Sequence, residues 1–119
     1  MKPRRVRFAE LFRGLDDAAE LGFDPRAAAL SGEDVEIRGY LTPLHDGGRY
    51  ALVNATGECP DCGAVAAIHL PDFRPAAAPD GAAAVRLRGR LEYGFAIAAD
   101  GYASFLRLAD ARPVAGLTR

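Results

Sequence analysis

Two stretches of the chain, Val35-Glu36-Ile37-Arg38-Gly39-Tyr40-Leu41 and Val85-Arg86-Leu87-Arg88-Gly89-Arg90-Leu91, share the pattern V-x-[IL]-R-G-x-L. In both, apolar residues alternate with polar or charged ones. A period of two puts every second side chain on the same face, so each stretch reads as a strand with one buried face. Two such strands need a common core to bury against, which makes the chain mainly β. A glycine at the same place in each strand marks a bend or bulge.

Three further segments carry the same alternation. Tyr50, Leu52 and Asn54 alternate with Ala51 and Val53. Ala66, Ile68 and Leu70 alternate with Val65, Ala67 and His69, and Pro71 stops that strand by removing a donor. Tyr102 to Ala111 forms the fifth. His45-Asp46-Gly47-Gly48 and Ala99-Asp100-Gly101 read as hairpin turns, and the Ala/Pro-rich segment from Arg74 to Ala84 as a surface connection. Five strands, a hairpin after the first, a long connection between the third and fourth, and a bent first strand describe a five-stranded OB-like barrel over residues 34–112. An SH3-like small barrel is the runner-up.

Ahead of the barrel, Phe8, Leu11, Phe12, Leu15 and Ala19 recur at helical spacing. They predict an N-terminal amphipathic helix over residues 8–21, packed on the barrel and stopped at Gly22. Asp24-Pro25 reads as N-cap and first residue of a short helical turn through Leu30. Residues 1–7, with Lys2, Arg4, Arg5 and Arg7, form a basic arm read as a solvated terminus. Its alternative role is contact with an anionic partner or lipid surface. Residues 8–113 then make a single domain, and 114–119 a tail.

At 119 residues, 50% hydrophobic and 26% charged, the chain has the length and composition of one globular domain. Its formal charge of −1 disfavours a general nucleic-acid binder, which needs a clear cationic excess. No stretch approaches the roughly 20 apolar residues of a transmembrane helix. No apolar segment follows the basic start, so a signal peptide is not read. The chain as given is expected to be soluble, cytoplasmic as it stands and periplasmic if a targeting segment was removed.

The chemistry-bearing motif is Gly57-Glu58-Cys59-Pro60-Asp61-Cys62-Gly63, between the second and third strands. Cys-Pro-x-Cys-Gly has the spacing of a zinc knuckle, and zinc takes four ligands near tetrahedral geometry. With His45 and His69 the two cysteines make up a nominal ligand set. Pairing Leu52 with Ile68 and Tyr50 with Leu70, however, puts both histidines at the opposite end of the hairpin. At about 3.3 Å per residue, that is about 16 Å away. Three readings stay open: a four-thiolate site for zinc, built from Cys59 and Cys62 of two subunits; a local disulfide or thiol-disulfide redox pair; or a rigid turn with unliganded thiols.

Arg86, Arg88 and Arg90 line one face of the fourth strand. With Tyr40, Tyr93 and Tyr102 they offer an alternative surface for single-stranded nucleic acid, by phosphate contact and base stacking. Asp34, Glu36, Glu58 and Asp61 offset that charge. No nucleophile elbow or phosphate loop is present, which leans away from an enzyme.

Three blocks carry a family resemblance: Val35-x-Ile37-Arg38-Gly39-Tyr40-Leu41-x-Pro43-Leu44; the pair Cys59 and Cys62; and Gly89-x-Leu91-x-x-Gly94 followed by Asp100-Gly101-Tyr102-x-Ser104-x-x-Arg107-Leu108. Through them the chain resembles a bacterial family of uncharacterised small OB-like proteins, some associated with envelope transport systems. The resemblance implies the fold and an accessory role, and brings no reaction with it. The expected function is a non-enzymatic binding module. It presents its Cys59/Cys62 loop to a metal ion or a protein partner, a second copy of the chain included.

Overall fold

The computed structural model describes residues 3–44, 48–56, 65–75, 81–99 and 101–114. Eleven short elements follow one another there: β1 (Arg4–Val6), α1 (Phe8–Leu11), β2 (Phe12–Arg13), a 3-10 turn (Ala18–Glu20), β3 (Gly22–Phe23), α2 (Pro25–Ala29), β4 (Asp34–Pro43), β5 (Tyr50–Val53), β6 (Ala67–Leu70), β7 (Ala84–Ile97) and β8 (Ala103–Pro113). The protein is mainly β. No helix among the described residues is long and apolar enough to cross a membrane.

The main sheet has the order β1-β4-β5-β6-β8-β7, and β7 pairs again with β4. From β4 the ladders therefore run through β5, β6, β8 and β7 and return to β4. All are antiparallel except β6 with β8. The inward residues of this circuit make the core: Val35, Ile37, Leu52, Ile68, Leu87, Leu91, Leu106 and Leu108 are all essentially without solvent exposure.

The two echoing strands are partners. β4 and β7 run antiparallel with Ile37 opposite Leu87, Val35 opposite Gly89 and Gly39 opposite Val85. Each motif therefore meets the other head to tail, and each glycine faces a valine. A Cβ on Gly89 would stand 2.6 Å from the Ala109 carbonyl oxygen, and one on Gly39 would stand 2.7 Å from Leu52 Cγ and 2.9 Å from the Val53 carbonyl oxygen. Glycine is there because a second strand passes too close for any side chain. The β7–β8 register shifts at both Gly89 and Gly94, as the bulge reading of β7 expects. Opposite the first shift, Asp110 has a φ of 55°; its N–H donates to both carboxylate oxygens of Asp72, at 3.1 and 3.2 Å.

The N-terminal region corrects two expectations. The helix read over 8–21 is a single turn, Phe8–Leu11, closed by the Arg7 N–H donating to Glu10 Oε1 at 2.9 Å. Phe12 leaves it with extended angles, and β2 pairs with β3 so that Phe12 lies opposite Phe23. The periodicity of Phe8, Leu11 and Phe12 is satisfied within one turn, and the rings then stack onward, Phe8–Phe12 at 5.8 Å and Phe12–Phe23 at 5.3 Å. Gly14 takes a φ of 71° where the chain reverses, a conformation a continuing helix does not use. The basic arm is the second correction. Arg4–Val6 is a strand parallel to β4, with Arg5 opposite Glu36 and Val6 opposite Ile37. Val6 is buried, which gives the arm an apolar anchor that its charge count hid.

The Asp24-Pro25 start of α2 is as read: the Asp24 side chain accepts from the Arg26 N–H at 2.9 Å. Beyond α2, Gly32 donates to the Leu91 carbonyl at 2.7 Å, and Ser31 Oγ accepts from the Tyr93 N–H at 3.0 Å. These bonds carry the β4–β7 contact past the end of the ladder.

Candidate functional site

One edge of β4 is used twice. β1 lies along Val35 to Ile37, and β5 lies along Tyr40 to Pro43. Between them, Arg38 and Gly39 face a gap. The gap opens into a cleft of about 580 Å³ lined by Arg5, Arg7, Arg38 and Arg86, by Glu10 and Glu36, and by the apolar residues Val6, Phe8 and Leu15.

Within the cleft Glu36 is almost buried and receives two guanidiniums on one oxygen. Arg5 Nε stands 3.1 Å and Arg86 Nη1 3.2 Å from Oε2. Arg7 Nε lies 3.8 Å from Glu10 Oε1. Arg86 Nε is buried with no hydrogen-bond partner among the described residues. In register, Arg86 lies directly opposite Arg38, and Arg38 makes no ion pair or side-chain hydrogen bond among the described residues.

Farther along the same outward face, charges are matched. Arg88 donates to Asp34 Oδ2 from Nη2 at 2.6 Å and from Nε at 3.0 Å. Those bonds hold the Asp34 carboxyl below the usual carboxylate range. Arg90 bonds Glu92 at 3.2 Å and Asp110 at 3.0 Å, and both carboxylates raise its pKa. Of the surface expected for nucleic acid, Arg86, Arg88, Arg90 and Tyr40 do share the outward face of the β4–β7 pair. All three arginines are engaged by carboxylates. Tyr93 is drawn elsewhere, into edge contacts with Phe23 at 5.5 Å and Phe105 at 5.0 Å.

The β5–β6 ladder has the predicted register, Tyr50 opposite Leu70 and Leu52 opposite Ile68. Cys59 and Cys62 belong to the connection between Val53 and Ala67, and they and His45 lie outside the described residues. His69 is in β6, opposite Ala51, near the end of the ladder away from that connection. Its Nδ1 is hydrogen-bonded to the Tyr102 hydroxyl, and the Arg49 guanidinium sits 4.0 Å from the centre of the Tyr102 ring. The Arg49–Tyr102–His69 grouping escaped the sequence reading because its members come from three separate strands or strand ends. Among the described residues no three of His, Cys, Asp and Glu gather in a metal-binding group. At the far end of the β7–β8 hairpin, Phe95, Ile97 and Phe105 are exposed.

No family model matches the chain, and no curated protein matches it. Among solved structures it is similar to a DUF3299 family protein from Pseudomonas aeruginosa PAO1, at 16% identity and a TM-score of 0.55, over 96% of this chain and 97% of that one. At this identity the likeness shows the fold alone.

Proposed function

We propose that the chain is a non-enzymatic binding module, built as a five-stranded OB-like barrel, whose Cys59/Cys62 connection holds a zinc ion shared between two copies. The return of the ladders to β4, with β6 parallel to β8, supports the barrel. The observation that carries the site is the β5–β6 register. It anchors the cysteine connection at Val53 and Ala67 and sets His69 two residues farther along β6, bonded to Tyr102. Zinc needs four ligands. One chain then supplies two thiolates, and the other pair comes from a second copy. The family resemblance suggests the setting, an accessory to envelope transport.

The test is metal content with light scattering on protein purified without chelator. One zinc per two chains in a dimer is the expected result, with a metal-free monomer for Cys59→Ser/Cys62→Ser. A metal-free monomer of the unaltered chain, or one intrachain disulfide by intact mass, overturns the reading.

A further inference from the structure

We propose that the cleft beside Arg38 binds a small organic phosphate, with the phosphate held between Arg38 and Arg86 and the organic body against Val6, Phe8 and Leu15. This site is separate from the cysteine connection and stands whether or not metal is bound there.

Charge is the first argument. Four guanidiniums, those of Arg5, Arg7, Arg38 and Arg86, meet two carboxylates, Glu10 and Glu36, in one cleft. Both carboxylates are already engaged, Glu36 by two arginines and Glu10 by Arg7. The local excess is two positive charges. A phosphomonoester carries about −1.5 to −2 at pH 7, which matches that excess better than a monocarboxylate does.

Register is the second argument. Along the β4–β7 ladder Glu36 faces Arg88 and Asp34 faces Arg90, but Arg38 faces Arg86. Like charges directly opposite one another destabilise a sheet. A buried N–H without a partner, as at Arg86 Nε, adds to that cost. One anion between the two guanidiniums removes the like-charge penalty, because the planar fork of arginine donates in pairs to phosphate oxygens.

Size and lining are the third. A cleft of about 580 Å³ is larger than a bare phosphate needs and falls in the range of small-ligand pockets. Val6, Phe8 and Leu15 give it an apolar wall beside the arginines.

Calorimetric titration of the full chain at low ionic strength tests this, with phenyl phosphate, inorganic phosphate and benzoate as probes. Phenyl phosphate is expected to bind most tightly, inorganic phosphate more weakly, and benzoate about tenfold or more below phenyl phosphate, the size of losing a charge-assisted pair. Arg38→Ala should weaken phenyl phosphate by about tenfold or more while leaving the thermal midpoint unchanged or higher, since it relieves the like-charge opposition. Arg38→Lys, which keeps the charge without the fork, should fall between. Arg112→Ala, which removes a positive charge on β8 opposite Arg88 and outside the cleft, should leave binding unchanged. Equal affinity of Arg38→Ala and the unaltered chain overturns the proposal, as does failure of either phosphate to saturate. Binding of a short single-stranded oligonucleotide without binding of phenyl phosphate also overturns it, in favour of a strand-tracking surface. Equal affinity for the two phosphates overturns the role given to the apolar wall.

Discussion

The outward face of the β4–β7 pair has two ends built from the same residue types and left in different electrostatic states. At one end Arg88 meets Asp34, and Arg90 meets Glu92 and Asp110, so both of these guanidiniums have a carboxylate. At the other, Arg86 shares Glu36 with Arg5 and faces Arg38, which has no carboxylate partner among the described residues. Both ends arise from the same V-x-[IL]-R-G-x-L pattern. The difference comes from the neighbour each end receives: β8 brings Asp110 to the first, whereas β1 brings another arginine to the second. An arginine on a strand is therefore not a binding residue by type. It is left available where the adjacent strand fails to neutralise it.

The two ends share one frame, the close crossing at Gly39 and Gly89. Gly89→Ala and Gly39→Ala each press a Cβ into a crossing strand, and each should cost about 1–3 kcal/mol in urea unfolding, the usual range for overpacking. Gly89→Ala should cost more, because a Cβ there meets the Ala109 carbonyl at 2.6 Å, whereas the Val53 carbonyl beside Gly39 lies at 2.9 Å. Equal stability of both variants and the parent would mean that the strands can separate, and that the two ends are not rigidly set.

A smaller effect separates the ends directly. Glu36→Gln removes the carboxylate that two arginines share in the cleft. Stability should fall by about 1–2 kcal/mol, since hydrogen bonds to a charged, nearly buried group are lost. Affinity for phenyl phosphate should rise at the same time, because the positive excess grows. Loss of stability together with loss of affinity would instead make Glu36 a scaffold for the cleft rather than a competitor for its arginines.

The smallest effect belongs to the matched end. The folded-state pKa of Asp34 lies below its unfolded value, because Arg88 hydrogen-bonds the ionised carboxylate. The stability contributed by that pair is therefore fully present above the unfolded value of about 3.9 and is lost as pH falls through the lower folded value. Thermal midpoints followed below about pH 5 should drop less steeply for Asp34→Asn than for the parent. Parallel acid limbs would show that the pair adds nothing to stability, as many exposed ion pairs do.

The strands were legible because alternation is a local signal. Val35 to Leu41, Tyr50 to Val53 and Val85 to Leu91 are strands as read, and the register of Tyr50 with Leu70 followed from lining up two alternating segments. The N-terminal region was not legible in the same way. Phe8, Leu11, Phe12, Leu15 and Ala19 carry helical spacing, yet the α-helix covers only Phe8–Leu11, and Ala19 falls in a separate 3-10 turn. Helices this short draw their stability from tertiary packing, and here Phe12 packs better as the partner of Phe23 than as the next turn of a helix. Val6 was hidden for a related reason, since one apolar residue among arginines gives no period to read.

A mainly β chain, the strands with their inward faces, and the hairpin that carries Cys59 and Cys62 are all written in local residue order. These follow from side-chain period and turn residues, which act over a few positions. Which arginines are neutralised and which are left facing one another is set on folding, because it depends on strands meeting from distant parts of the chain. β1 comes to lie beside β4 more than twenty residues away, and β7 about fifty residues away, and no local pattern encodes either meeting.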